Sequence, residues 1–265
     1  MGQNIQLPLA TALLASEWMT RQKNRTLQVV AGVLVALSAT LKLFPVLVVV
    51  FYVLVKPRLT KVGVVVGLAI GLLLPFLYYG PATALDLYQG FFHNLTRYHQ
   101  KNSLVENLGI LCLPSLLATW IKPWFPTTSP GPLILVAQVV IAGWFFLSVL
   151  RRKSKFTARE SLHYWSLCLA LTAFLNPSSR QEYFILYVPA FCSLVEKWQL
   201  DQLKVNLRTG LFASFCLIGF TTKTFLGQYW NNTLHGWRVP VIGMALLCLT
   251  LGVALRFSRR FHHAG

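Results

Sequence analysis

Residues Val62–Gly80 read VGVVVGLAIGLLLPFLYYG, and Pro132–Leu150 read PLILVAQVVIAGWFFLSVL. Neither run contains a charged side chain. A helix needs roughly 20 predominantly apolar residues to cross the hydrocarbon core of a bilayer, and both runs approach that length. A soluble domain of this size has no way to hide two such segments. The rest of the chain agrees: of its 265 residues 55% are hydrophobic and 12% charged, with a mean hydropathy of +0.57. That leaves too little polar surface to cover a water-soluble core.

Outward from these two runs, further apolar segments follow at Ile5–Thr20, Leu27–Leu41, Pro45–Val55, Leu162–Asn176, Tyr183–Val195, Thr209–Leu226 and Val239–Leu255. The expected fold is all-α, a polytopic membrane protein with about eight or nine hydrophobic helices. Residues 1–265 are expected to form a single integral membrane domain. Leu27–Val55 reads as a hairpin rather than one kinked helix, because basic loops flank it on both sides. Lys42-Leu43-Phe44-Pro45 would make the turn, since Pro45 removes a donor and disfavours helix at Phe44.

The formal net charge is +17, from 24 Lys and Arg against 7 Asp and Glu. These charges do not read as a nucleic-acid surface, because they gather in alternate loops. Arg21, Lys23 and Arg25 fill one; Lys56, Arg58 and Lys61 another; Arg151, Arg152, Lys153, Lys155 and Arg159 a third. Lys197, Lys204, Arg208 and the tail Arg256, Arg259 and Arg260 continue the pattern. The positive-inside rule places these loops in the cytoplasm and the remaining loops outside; the expected location of this multi-pass protein is the plasma membrane. The five cysteines have no metal or redox spacing and read as small buried apolar residues. No metal site and no Gly-rich phosphate loop is recognisable, so neither a metal nor a nucleotide cofactor is expected.

The unusual material lies on the expected outer side, in Pro81–Gly131. Leu85, Tyr88, Phe91, Phe92, Leu95 and Tyr98 recur at helical spacing, the mark of an amphipathic interfacial helix. Leu104–Ile121 reads as a second interfacial or re-entrant element, with Trp120, Trp124 and Phe125 as an aromatic belt.

The stretch from Ala31 to Pro81, with Ala39, Lys42 and Pro45, the basic loop KPRLTK and the closing Gly80-Pro81, resembles glycosyltransferase family 87 of the GT-C class. Gly2-Gln3-Asn4, Lys101-Asn102-Ser103-Leu104 and Asn176-Pro177-Ser178-Ser179-Arg180, followed by Tyr183 and Pro189, resemble further segments in the family's order. The resemblance implies transfer of a sugar, commonly mannose, from a polyprenyl-phosphate donor at the outer face. Its partners would be that donor and membrane lipids. The family's base is expected in the first outer loop, which the resemblance places ahead of this chain. The chain then corresponds to the C-terminal part of a GT-C enzyme. A missing N-terminal half or a partner polypeptide would complete it, and the isolated chain is expected to be inactive.

Lys42 is the sharpest candidate for the donor phosphate. A lysine at a span's centre costs roughly 2.5 to 3.5 kcal/mol on insertion scales and so serves a site or snorkels to water. Arg180 offers a bidentate clamp for phosphate. Asn102, His99, Gln3 and Asn4 are candidates for binding sugar or phosphate groups. The weak candidates for an acid or base are Glu182, Asp86 and Glu106; for the last two the helix N-terminus reading is the better one. Two other classes stay open: a lipid or small-anion transporter, and a non-catalytic partner subunit.

Overall fold

A computed structural model describes residues 6–41, 46–100, 110–124, 131–152, 156–177, 179, 181–200, 203–221 and 223–257. Among these residues the chain is all-α, with no strand. It divides into two compact units, Met1–Asn102 with Gly143–Ala158, and Ser103–Ala142 with Arg159–Gly265.

Unit 1 holds α1 (Gln6–Thr20), α2 (Arg25–Leu41), α3 (Val46–Val55), α4 (Arg58–Tyr79) and α5 (Pro81–Gln100). It also takes the second half of α7 (Gly131–Leu150), whose Phe145 ring packs 6.4 Å from Phe51. Helix α2 packs chiefly on α4. The reason lies in the sequence: Gly32, Gly63, Gly67 and Gly71 present no side chain at the seam. A Cβ added at Gly63 would stand 2.1 Å from the Val29 carbonyl oxygen, and one at Gly32 would stand 2.1 Å from the Thr60 carbonyl oxygen. The two backbones therefore touch, as small residues allow in apolar surroundings. Elsewhere α4 leaves Val65, Leu73, Leu77 and Tyr78 exposed. Only 17% of its most apolar window is buried, and the same holds for α7. Helices this long and apolar with bare faces fit lipid as their solvent.

Helices α2 and α3 are separate and touch one another, which agrees with a hairpin; the turn at 42–45 lies outside the described residues. Gly80, at φ +79°, breaks the chain between α4 and α5. Helix α5 is the expected helix after Gly80; its Tyr88 hydroxyl donates to the Leu72 carbonyl at 2.7 Å, in the turn that precedes Pro75 of α4.

Unit 2 holds α6 (Leu113–Ile121), the first half of α7, α8 (Ala158–Leu175), a 3-10 turn (Gln181–Tyr187), α9 (Val188–Gln199), α10 (Val205–Gly219), α11 (Lys223–Gly236) and α12 (Val239–Phe257). Helix α8 is buried without interruption from His163 to Leu175, as expected of a helix that is apolar nearly all round. Helix α12 packs chiefly on α10, and also touches α9, α11 and α6.

Three expectations are corrected here. Tyr183–Val195 is not one helix: the chain runs as a 3-10 turn to Tyr187, then starts α9 with Pro189 in its first turn, where a missing N–H costs nothing. The span read as Thr209–Leu226 ends at Gly219, where Thr221 turns its hydroxyl back onto the Leu217 carbonyl. Leu226 belongs to α11, itself broken at Gly227, whose φ is 72°. Lastly, not every cysteine is buried: Cys192 is exposed and Cys216 half-buried.

Candidate functional site

Three clusters of described polar groups stand out, each within one unit. In unit 2, the helix ends opposite the basic loops are stitched together by hydrogen bonds. The last carbonyls of α8 have no intrahelical partner. Gln138 of α7 donates to the Leu175 carbonyl at 2.6 Å, and the Ser179 hydroxyl donates to Ala173. The Ser179 carbonyl accepts from the Leu111 amide at 2.7 Å. Leu111 belongs to a buried segment, Ile110–Leu116, that leads into α6. Ser115 closes that helix start: its hydroxyl accepts from the Cys112 amide at 3.2 Å and donates to the Cys112 carbonyl at 2.8 Å. Leu104–Ile121 was read as interfacial or re-entrant; of its described part Ile110–Leu116 and Ala118 are buried, while Trp120 is exposed.

Arg238 meets this segment. It lies in the turn between α11 and α12, fully buried, at φ 59°. Its Nη1 donates to the Ile110 carbonyl at 2.8 Å, and its Nε to Thr119 Oγ1 at 3.2 Å. Burial lowers its pKa, with Cys112 acting in the opposite direction; an arginine nevertheless stays cationic at physiological pH. Its main chain continues the stitching: its amide donates to His235, and its carbonyl accepts from Val241 at 3.0 Å and Ile242 at 3.2 Å. Beside it, Asn231 Nδ2 donates to the Thr221 carbonyl at 2.8 Å and His235 Nε2 lies 3.2 Å from the same oxygen. Tyr187 is a buried hydroxyl with no hydrogen-bond partner among the described residues.

In unit 1, Glu17 is 3% exposed near the end of α1. Lys56 Nζ lies 2.7 Å from its carboxylate, Arg21 Nη2 3.3 Å and the Tyr52 hydroxyl 3.4 Å. Ser16 Oγ is 2.9 Å from that same hydroxyl. Burial pulls the Lys56 ammonium below the usual lysine range, and Glu17 opposes the shift. A carboxylate held by two cations at the end of the unit that bears the basic loops is an anchor between α1 and the α3–α4 turn. In unit 2, Glu196 likewise pairs with Arg159 at 2.5 Å and stands 3.7 Å from His163 Nε2.

The residues singled out from the sequence divide between the units by number. Gln3, Asn4, Lys42, Asp86, His99 and Asn102 fall in the range of unit 1, and Glu106, Arg180 and Glu182 in that of unit 2. Gln3, Asn4, Lys42, Asn102, Glu106 and Arg180 lie outside the described residues. His99 falls in α5 and Glu182 in the 3-10 turn, with side chains outside the described set. Asp86 is exposed and lies past the first turn of α5, so it does not cap that helix. Sequence reading missed Glu17 and Arg238. The available signal for both was a charge at the edge of an apolar run: Glu17 near the end of Ile5–Thr20, and Arg238 immediately before Val239–Leu255.

The long apolar helices with bare faces, and the clusters of described polar groups at helix ends, fit a polytopic membrane protein. The model of glycosyltransferase family 87 matches residues 1–177, and the chain belongs to that family. No curated protein and no solved structure matches it. The match ends inside the Asn176-Pro177 segment, so Arg238 and helices α9–α12 lie beyond it. The chain is accordingly a membrane glycosyltransferase by family.

Proposed function

We propose that this protein serves the transfer of a sugar, with mannose as the first candidate, from a polyprenyl-phosphate donor to an acceptor hydroxyl on the extracytoplasmic face of the cell membrane. The family match over residues 1–177 carries this reading. Its finer parts rest on the chemistry of the candidate residues. The acceptor oxygen attacks the anomeric carbon, the bond from that carbon to the phosphate oxygen breaks, and polyprenyl phosphate leaves with inversion. Lys42 and Arg180 stabilise the charge that grows on the leaving phosphate. A carboxylate, from Glu182, Glu106 or Asp86 or from a partner polypeptide, takes the acceptor proton. Asn102, His99, Gln3 and Asn4 bind sugar or phosphate groups. The donor's isoprenoid tail stays in the bilayer between lipid-facing helices.

The test is ligand-induced thermal stabilisation of the detergent-solubilised protein. Polyprenyl phosphate should raise the unfolding temperature and the uncharged polyprenol should not. Lys42→Met should weaken the response to the phosphate, while Lys42→Arg, which keeps the charge but changes its geometry, should lose less. Equal responses of wild type to both lipids would refute recognition of the phosphate. An unchanged response in Lys42→Met would leave Lys42 as a lysine that snorkels to the interface.

A further inference from the structure

We propose that Arg238 is a positioning residue for the transfer reaction, fixing the Ile110–Thr119 segment and, through Leu111, the Ser179 turn. This proposal rests on the glycosyl-transfer reading for its kinetic consequence, but its structural part stands apart from the donor's identity.

The geometry is that of a clasp. One guanidinium holds both ends of a largely buried stretch, the Ile110 carbonyl before α6 and the Thr119 hydroxyl within it. These partners lie 128 and 119 residues away in sequence. Arg238 also starts α12, since its carbonyl accepts the Val241 and Ile242 amides. Movement of the α11–α12 turn is thereby passed to α6. From Leu111 the link continues through its amide to the Ser179 carbonyl, and from Ser179 to Ala173 at the end of α8.

An arginine is an expensive way to make such a joint if stability is all it supplies. Burying a guanidinium carries a large desolvation cost, and well-packed apolar residues commonly do as well or better. The backbone adds to the cost, because φ 59° suits glycine or asparagine better than a long side chain. Strain and buried charge at one residue, among hydrogen-bonded loops, are marks of a position kept for function. The fork of the guanidinium explains the residue type: it reaches a carbonyl and a hydroxyl in two directions from one plane, which a lysine ammonium does not.

Two readouts test this. The first reports the clasp alone. In a variant retaining only Cys112, which is fully buried, a thiol reagent should react slowly. Arg238→Met should expose Cys112 and speed labelling by about tenfold or more, as expected of local opening. A variant retaining only Cys168, equally buried in α8, should stay protected with and without Arg238→Met. The second readout is sugar transfer in membranes where the variant is the only copy, normalised to folded protein. Loss of alignment should lower kcat by about tenfold to a hundredfold with KM for the donor little changed. Arg238→Lys should recover part of the loss. Thr119→Val, which removes one arm of the clasp, should reproduce the effect more weakly, and it serves as the test if Arg238→Met does not fold.

Protection of Cys112 that survives Arg238→Met or, if that variant does not fold, Thr119→Val overturns the proposal. So does faster Cys112 labelling with unchanged kcat per folded molecule, because the clasp would then serve stability only. If wild type transfers no sugar from polyprenyl-phosphate donors while Cys112 still responds, the donor reading falls and the kinetic role of Arg238 with it, leaving a structural joint.

Discussion

The two units solve the same problem, holding apolar helices together where lipid competes for every apolar face, by different means. In unit 1 the α2–α4 seam brings backbone against backbone: the nearest atoms to a Cβ built on Gly32 or Gly63 are main-chain atoms of the facing helix. In unit 2 the glycines at the α10–α12 contact meet mainly side chains, Thr250 beside Gly210 and Leu217 and Ile218 beside Gly243. There the helix ends are joined by polar side chains that reach backbone groups, Gln138, Ser179, Asn231 and Arg238 among them. The lesson is that a close seam tolerates no added atom, whereas a polar joint loses one bond at a time.

The largest effect should therefore come from the seam. Gly63→Ala places a methyl 2.1 Å from the Val29 carbonyl oxygen, and main chain cannot rotate away. The expected cost is about 3 kcal/mol or more, at the upper end of overpacking effects, seen as a fall in thermal midpoint in detergent. A midpoint within error of wild type would mean that the helices do not touch as described.

Next comes the buried pair. Lys56→Met leaves Glu17 inside unit 1 with Arg21 as the remaining cation among the described residues, and should cost roughly 3 kcal/mol. Adding Glu17→Gln should return part of that loss. A double variant less stable than Lys56→Met alone would show that Glu17 has another role than anchoring Lys56.

In unit 2 the increments should be smaller. Gln138→Leu removes the donor to the Leu175 carbonyl and should cost about 1 kcal/mol. Gly210→Ala is expected to cost less than about 1 kcal/mol, because its closest neighbour is a Thr250 hydroxyl at 2.7 Å that a rotation about χ1 can move. If Gly210→Ala proved as damaging as Gly63→Ala, the contrast between a backbone seam and a side-chain contact would fail.

Much of this fold was legible because lipid leaves few alternatives. An uncharged run such as Val62–Gly80 has one reading, and it became α4 with Pro75 retained inside the helix. Gly80 marked the break before α5 for the plain reason that glycine tolerates positive φ. The errors occurred where apolarity continued but helix did not. Tyr183–Val195 is apolar throughout, and only Pro189 signalled that the helix starts late. At Thr209–Leu226 the backbone turns at Phe220 and Thr221 without a proline, and hydropathy does not register that.

The site was less legible for a different reason. The described polar clusters join residues remote in sequence: Glu17 with Lys56, 39 residues on, and Arg238 with Ile110 and Thr119. No local pattern encodes such pairs. The resemblance to glycosyltransferase family 87 was carried by short segments in order, and the family match over residues 1–177 supports it.

Sugar transfer in membranes with and without this chain tests the account's central claim most directly. Membranes from cells lacking it, and from the same cells complemented with it, would receive radiolabelled polyprenyl-phosphate mannose on the extracytoplasmic side. The account predicts that complemented membranes alone release polyprenyl phosphate and form a labelled mannosylated product. Equal transfer in both preparations would contradict the account, as would intact donor in the complemented membranes.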